Sequence, residues 1–165
     1  MFRKGDADVA GMGAKDPEQP GPPAWNSYIF VDDVEEIAKG AAEAGANLVL
    51  PPMDVMSAGR MCILQDPTGA HVSLWQAGDH QCADLFNEHG TLIWNELMTR
   101  DVEAALAFYT EVIGWDTSPM PMPDGSTYHI LKVGERMNGG MIAISDEMPA
   151  EIPAHWGVYF AVDDV

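Results

Sequence analysis

The sequence predicts an α+β fold built from repeated β-α-β-β-β units. The order strand, helix and three strands is completed within residues 25–76, and the same order starts again at Leu92. The segment WNSYIFVDDV at 25–34 also recurs as WGVYFAVDDV at 156–165, which is 131 residues later. Self-similarity at a fixed period is the sequence signature of repeated structural units.

The first unit follows from alternation and capping residues. Residues 25–31 alternate and are rich in β-branched and aromatic side chains, which predicts a strand. Asp32 or Asp33 is placed to cap a helix, and Gly45 is a natural residue to end it. The strands predicted to follow are 47–50, 59–65 and 71–76, with a tight turn at 66–69 between the last two.

The second unit repeats this order. Residues 92–98 predict a strand, and Asp101 caps a helix that ends at Gly114. The strands predicted next are a short one from Trp115, then 128–133 and 140–144, and finally one from Trp156. Residues 1–12 resemble the end of a hairpin, and 13–24 predict a Pro/Gly-rich loop.

Proline is expected to interrupt the sheets at two places. Pro51-Pro52 should stop the strand at 47–50, and residues 120–125 should form a proline-punctuated loop. Proline lacks the backbone N–H that a strand needs for its ladder of hydrogen bonds.

The charge of the chain excludes some classes of partner. With 8 basic against 26 acidic residues, the net charge is −18. Nucleic acids and anionic membranes are recognised by clusters of Lys and Arg, so neither is expected as a partner. The sequence has no apolar run long enough to span a membrane and no secretory leader at residue 1, which favours a cytoplasmic protein.

Several motifs resemble one superfamily. They are VDDVEEIAKGAAEAGA, then PP, then GRMCILQDPTGAHVSLWQ in the first unit, and WNELMTRD with AFYTEVIGW in the second. This set resembles the glyoxalase/bleomycin-resistance/extradiol-dioxygenase superfamily, also called the vicinal oxygen chelate superfamily. It is most similar to the two-domain glyoxalase-like branch, whose members are often labelled hydroxylases or dioxygenases. The resemblance implies paired βαβββ modules whose curved mixed sheets enclose a cavity, with the helices outside.

The resemblance also implies a division of the chain into modules. Residues 1–24 would be the end of a preceding module with a linker, and 151–165 the first strand of a truncated further module. The ranges 25–90 and 91–150 would each be a complete module. The chain is then expected to be a fragment of a longer protein. Its modules would pair within the chain or in a homodimer, in which they could be swapped.

Alternation along the strands predicts which side chains face the cavity. The inward set in the first unit is Asn26, Tyr28, Phe30, His71, Ser73 and Trp75, and in the second it is Trp94, Glu96 and Met98. We expect the aromatic and polar members to bind a small organic molecule, although plain core packing is an equally good interpretation. His71 and Glu96 could meet across the cavity as ligands or as a base and its partner. The alternative is that His71 only lines the cavity and that Glu96 is a hydrogen-bonded carboxylate.

The metal ligands of the superfamily have no counterparts here. Its metal enzymes hold a divalent ion with His on the first strand and Glu on the last strand of a module. The matching positions in this sequence carry Asn26, Trp94, Gly157 and Ser73. We therefore predict no cofactor, with Fe, Mn, Zn or Ni as the alternative that the superfamily implies. Two functions stay open: an enzyme of lyase or dioxygenase type, and a non-catalytic binding protein that sequesters a drug or antibiotic.

Overall fold

The computed structural model describes residues 1–15 and 22–165, so part of the predicted loop at 13–24 lies outside the described residues. The two helices are α1 (Val34–Glu43) and α2 (Val102–Glu111). The strands are β1 (Phe2–Lys4), β2 (Ala7–Ala10), β3 (Tyr28–Phe30), β4 (Asn47–Val55), β5 (Gly59–Gln65), β6 (His71–Ala77), β7 (Leu92–Thr99), β8 (Asp116–Pro121), β9 (Thr127–Val133), β10 (Arg136–Ala143) and β11 (His155–Phe160).

The strands form two mixed sheets and one hairpin. The first unit contributes a sheet of order β3-β6-β5-β4, and the second a sheet of order β11-β7-β10-β9-β8. In each sheet the first strand of the unit runs parallel to the last one, as β3 does to β6 and β7 to β10. Strands β1 and β2 pair separately. The predicted α+β class with curved mixed sheets is confirmed, and the sheets do not close into a barrel.

Both helices begin where the sequence predicts. The Asp33 carboxylate accepts a hydrogen bond from the backbone N–H of Glu36 at 3.0 Å, and Asp101 accepts one from Ala104 at 3.0 Å. Each carboxylate satisfies a backbone donor that the first turn leaves unpaired, so the helix start is fixed locally. Within the described residues, no helix is long and apolar enough to cross a membrane.

The prediction that Pro51 and Pro52 stop their strand was wrong, whereas the loop predicted at 120–125 occurs between β8 and β9 and begins two residues later than expected. Strand β4 continues through Pro51 and Pro52, and β8 contains Pro119 and Pro121. Both strands lie at the edge of their sheet, so a missing N–H can face away from the neighbouring strand. The register of β4 on β5 shifts between Leu50 and Met53, which places the two prolines in an irregular part of the ladder.

The helix-side faces of both sheets share one hydrophobic core. Its buried members from the first unit are Ile29, Val31, Val34, Ala38, Ala41, Cys62, Leu64, Ala70, Val72 and Leu74, and those from the second are Leu97, Ala105, Phe108, Tyr109, Trp115, Leu131 and Met141. Cys62 is a fully buried free thiol and packs in this core as a small apolar residue. The two units are therefore packed against each other through their helix sides.

A buried polar link crosses this core. Asp66, in the turn between β5 and β6, is only 3% exposed, and its Oδ2 accepts a 2.8 Å hydrogen bond from the Tyr109 hydroxyl of α2. Its Oδ1 accepts from the Thr68 N–H, the Thr68 hydroxyl and the Ala70 N–H. The Tyr109 hydroxyl also accepts from the Trp156 indole at 3.0 Å. One carboxylate thus closes a turn in the first unit and binds the helix of the second.

Removal of the Tyr109 hydroxyl should destabilise the packing of the two units. Tyr109→Phe leaves Asp66 Oδ2 and the Trp156 indole without this partner, so we expect the free energy of unfolding to fall by about 1–3 kcal/mol. Urea unfolding measures this change. The control is Tyr159→Phe, which removes a hydroxyl from an exposed residue and should cost less. An equal fall in the free energy of unfolding in the two variants would show that the buried link stabilises the protein no more than an exposed hydroxyl does.

Candidate functional site

Glu96 lies on the face of its sheet that is opposite to the helices. Its neighbours along β7, Leu97 and Thr99, are buried, whereas Glu96 is half-buried and its side chain meets other side chains on the opposite face. Its cross-strand partners are Gly140 on β10 and Gly157 on β11. Because neither partner has a side chain, larger side chains from other positions can lie over these glycines beside the carboxylate.

Two tyrosines reach over these glycines to the carboxylate. The Tyr128 hydroxyl of β9 donates to Glu96 Oε2 at 2.7 Å, and the Tyr159 hydroxyl of β11 donates to Oε1 at 3.0 Å. The Trp94 indole N–H, two residues before Glu96 on β7, donates to the Tyr128 hydroxyl at 2.7 Å. These four residues form the Glu96 cluster: Trp94, Glu96, Tyr128 and Tyr159.

Gly140 is necessary for this arrangement. Tyr128 belongs to β9, which is separated from β7 by β10, so its side chain must pass over a whole strand to reach Glu96. A Cβ atom added at Gly140 would overlap the Tyr128 hydroxyl and ring carbons. At Gly157, an added Cβ would meet only Tyr159 Cε2 at 3.5 Å and the Glu96 carbonyl oxygen at 3.7 Å, which are ordinary contacts.

The two phenols of the cluster are held in their protonated form. Burial, followed by the hydrogen bond to Glu96, raises the pKa of Tyr128 well above its usual value. The hydrogen bond to Glu96 is the largest cause that raises the pKa of Tyr159. Both hydroxyls therefore act as neutral donors at physiological pH. No Lys, Arg or His of the described ranges 1–15 and 22–165 forms an ion pair with Glu96.

A second group of predicted ligand-binding residues lies on the other sheet. Tyr28 pairs with Ser73 across β3 and β6, and Phe30 pairs with Trp75. The Tyr28 and Trp75 rings meet edge to face at 6.3 Å, and Tyr28 and Phe30 are 50% and 55% exposed. Ser73 is buried. This face is aromatic and open, and in the described part of the chain no hydrogen bond or ring contact joins it to the Glu96 cluster.

The remaining predicted residues lie outside both groups. Asn26 is exposed and precedes β3, which begins at Tyr28 rather than at residue 25. His71 is exposed at the start of β6, where it pairs with Gln65 of β5, and its side chain forms no hydrogen bond or ion pair with another described residue. Met98 is half-buried on β7. The pairing of His71 with Glu96 stays a prediction.

A small cavity of about 160 Å³ lies where the two units meet. Ser27 of the first unit donates to Asn95 Oδ1 of the second at 2.8 Å beside it. The other lining residues are Tyr28, Ile29, Val72, Leu92, Trp115, Asn138 and Trp156. Its size is below the range of ligand pockets for drug-sized molecules, so we regard it as a packing void of the interface.

Comparison with known proteins shows which family the chain comes from. The family model described as bleomycin resistance protein-like N-terminal matches residues 91–127. CFP32 of Mycobacterium bovis, which is named as a candidate glyoxylase, is 48% identical over 143 residues, or 87% of this chain and 54% of the relative. The anthracycline biosynthesis protein DnrV of Streptomyces peucetius is 31% identical over 148 residues, or 89% of this chain and 53% of its own length. The chain belongs to the vicinal oxygen chelate superfamily.

Two solved dioxygenase structures share the fold of this chain. The 2,2',3-trihydroxybiphenyl 1,2-dioxygenase of Sphingomonas wittichii strain RW1 aligns with a TM-score of 0.56 at 16% identity, covering 78% of this chain and 50% of that one. The halotolerant catechol dioxygenase BphC aligns with a TM-score of 0.53 at 17% identity, covering 71% and 45%. At such identities the likeness concerns the fold alone. This chain spans about half the length of the curated relatives that it matches.

The donor set around Glu96 does not fit the divalent metal of the superfamily's dioxygenases. Such a metal needs several imidazole and carboxylate ligands, whereas Glu96 is the one carboxylate of the cluster and its neighbours are protonated phenols. No group of three or more His, Cys, Asp or Glu residues that could hold an ion occurs among the residues that the structure describes.

Tyr128 and Tyr159 were not among the predicted site residues. A usable signal existed for Tyr159, because it alternates with the apolar residues Val158 and Phe160 along one strand. For Tyr128, the signal is the pair Gly139-Gly140, since a glycine inside a strand often marks a close approach by another group.

Gly140→Ala should break the Glu96 cluster. The new methyl group would occupy the path of the Tyr128 side chain, so we expect the free energy of unfolding to fall by about 1–3 kcal/mol. The Tyr128 pKa should also move back towards its ordinary value, which an ultraviolet titration of the tyrosines can detect. Gly157→Ala is the matched control and should preserve the cluster. Identical titrations of wild type and Gly140→Ala would contradict the proposed role of Gly140.

Proposed function

We propose that this chain carries a binding site for a small organic molecule, in the manner of a non-catalytic glyoxalase-like protein. The ligand would lie over the Glu96 cluster, with Trp94 as an aromatic wall and the carboxylate as its polar contact. The whole protein's activity and substrate are part of this proposal, because the chain matches only about half of each relative.

One observation carries the proposal. Glu96 is held in a fixed position by two hydroxyl donors, and it is still open on the face that no helix covers. Preorganised polar groups beside aromatic rings are typical of small-molecule sites. Since the opposite face of the same sheet is occupied by the shared core, this face is the one on which a ligand can bind.

A catalytic function, of lyase or dioxygenase type, is the alternative. It would require a second titratable group within reach of Glu96 or of the ligand, and His71 is the residue that the sequence offers. In the described residues, both hydrogen bonds to the Glu96 carboxylate come from tyrosines that stay protonated, which favours binding over proton transfer.

In the predicted homodimer, the exposed aromatic face of β3 and β6 would be the contact surface. Tyr28 and Phe30 lie on this face and are half exposed. A second copy, with or without exchange of modules, would cover this apolar surface. The cytoplasmic location stays a prediction.

Titration with three small aromatic molecules tests the proposed site. The probes are benzyl alcohol, benzoate and benzylamine, and the readout is the indole N–H resonance of each tryptophan in a labelled sample. We expect at least one probe to shift the Trp94 signal, assigned by its loss in Trp94→Phe, before it shifts Trp156, whose indole is bonded to Tyr109 in the core. If the probes shift Trp156 but never Trp94, the proposed site is wrong.

A further inference from the structure

We infer that the Glu96 cluster recognises an organic cation, namely a protonated amine carried on an aromatic or apolar scaffold. This inference deepens the proposed function and rests on it. It concerns the charge of the ligand, which the resemblance to other proteins does not determine.

The first argument is that the charge of Glu96 is not compensated. Among the described residues, the side chains of Arg3, Lys4, Lys39, Arg60 and His89 form ion pairs with acids other than Glu96. Arg100 donates instead to the backbone carbonyl oxygens of Ser145, Met148 and Pro149. A positively charged ligand would form a charge-assisted hydrogen bond with a carboxylate that has no cationic partner.

The second argument concerns the donors that already bind Glu96. Tyr128 and Tyr159 each occupy one lone pair, on different carboxylate oxygens. A carboxylate has about four acceptor positions, so further positions are free for N–H donors of a ligand. The phenols are neutral, which means that they orient the carboxylate and leave its charge in place. An ammonium group carries the opposite charge and up to three N–H donors, so it can bind the free acceptor positions of the carboxylate.

The third argument concerns the aromatic rings around the carboxylate. Trp94, Tyr128 and Tyr159 surround Glu96, and Tyr159 is 48% exposed. Aromatic faces attract cations, with Trp as the strongest of the three ring types. Rings beside an uncompensated carboxylate form a site that favours a cation over a neutral ligand and disfavours an anion. The net charge of −18 adds a long-range attraction of the same sign.

The test compares three ligands of the same size that differ in charge. Benzylamine, benzyl alcohol and benzoate are titrated into the wild-type chain at pH 7, and the dissociation constant is read from the Trp94 indole resonance. We expect benzylamine to bind roughly fivefold more tightly than benzyl alcohol, with benzoate weakest. If benzyl alcohol or benzoate shifts Trp94 at equal or lower concentration than benzylamine, the inference is overturned while the proposed site stands.

Two charge variants distinguish the effect of the Glu96 charge from the effect of the net charge of the protein. Glu96→Gln keeps an oxygen acceptor for one of the two tyrosine hydroxyls, which bind different carboxylate oxygens, and it removes the charge, so the preference for benzylamine should disappear. Glu111→Gln removes the same charge at the exposed end of α2 and should leave the preference intact. Equal losses in both variants would show that only the net charge matters. The wild-type comparison needs no variant, so the inference can be tested even if Glu96→Gln does not fold.

Discussion

A buried carboxylate, Asp66, determines how the two units of this chain meet. It closes the turn between β5 and β6 with three hydrogen bonds and accepts a fourth from Tyr109 of the other unit. A buried carboxylate is tolerated only when its oxygens are satisfied, so the turn and the helix must keep this relative position. Burial and the nearby charge of Asp66 raise the pKa of Tyr109 well above its usual value, so its hydroxyl remains a donor.

The location of the candidate site follows from this constraint. Because the helix-side faces of both sheets are joined in one core, the opposite faces are the ones available to ligands. On the second sheet, the pairing of β11 with β7 and the glycines beside Glu96 bring three aromatic residues around one carboxylate. On the first sheet, the corresponding face carries Tyr28 and Trp75 without a comparable polar centre. The Glu96 cluster therefore combines a charged group and aromatic rings on a sheet face that a ligand can reach.

Local patterns in the sequence predicted much of this structure. The caps at Asp33 and Asp101 and the turn at 66–69 depend on neighbouring residues, and all three occur as expected. The strand end predicted at Pro51 and Pro52 was wrong, since tolerance of proline depends on whether a strand lies at an edge, which is a tertiary property.

The site was predictable only in part. Alternation places Trp94 and Glu96 on the face opposite the core, but the contributions of Tyr128 and Tyr159 depend on the register of β9, β10 and β11 relative to β7. Register between strands tens of residues apart is not contained in the alternation of a single strand. The roles of His71 and Asn26, and the absence of a cofactor, stay predictions.

A crystal structure of the chain with bound benzylamine tests the central claim most directly. We predict that the ammonium nitrogen lies within hydrogen-bond distance of a Glu96 carboxylate oxygen, with the ring of the ligand against Trp94. Binding of the ligand in the cavity beside Ser27 and Asn95, or on the Tyr28 and Trp75 face, with the Glu96 cluster left unliganded, would contradict the account.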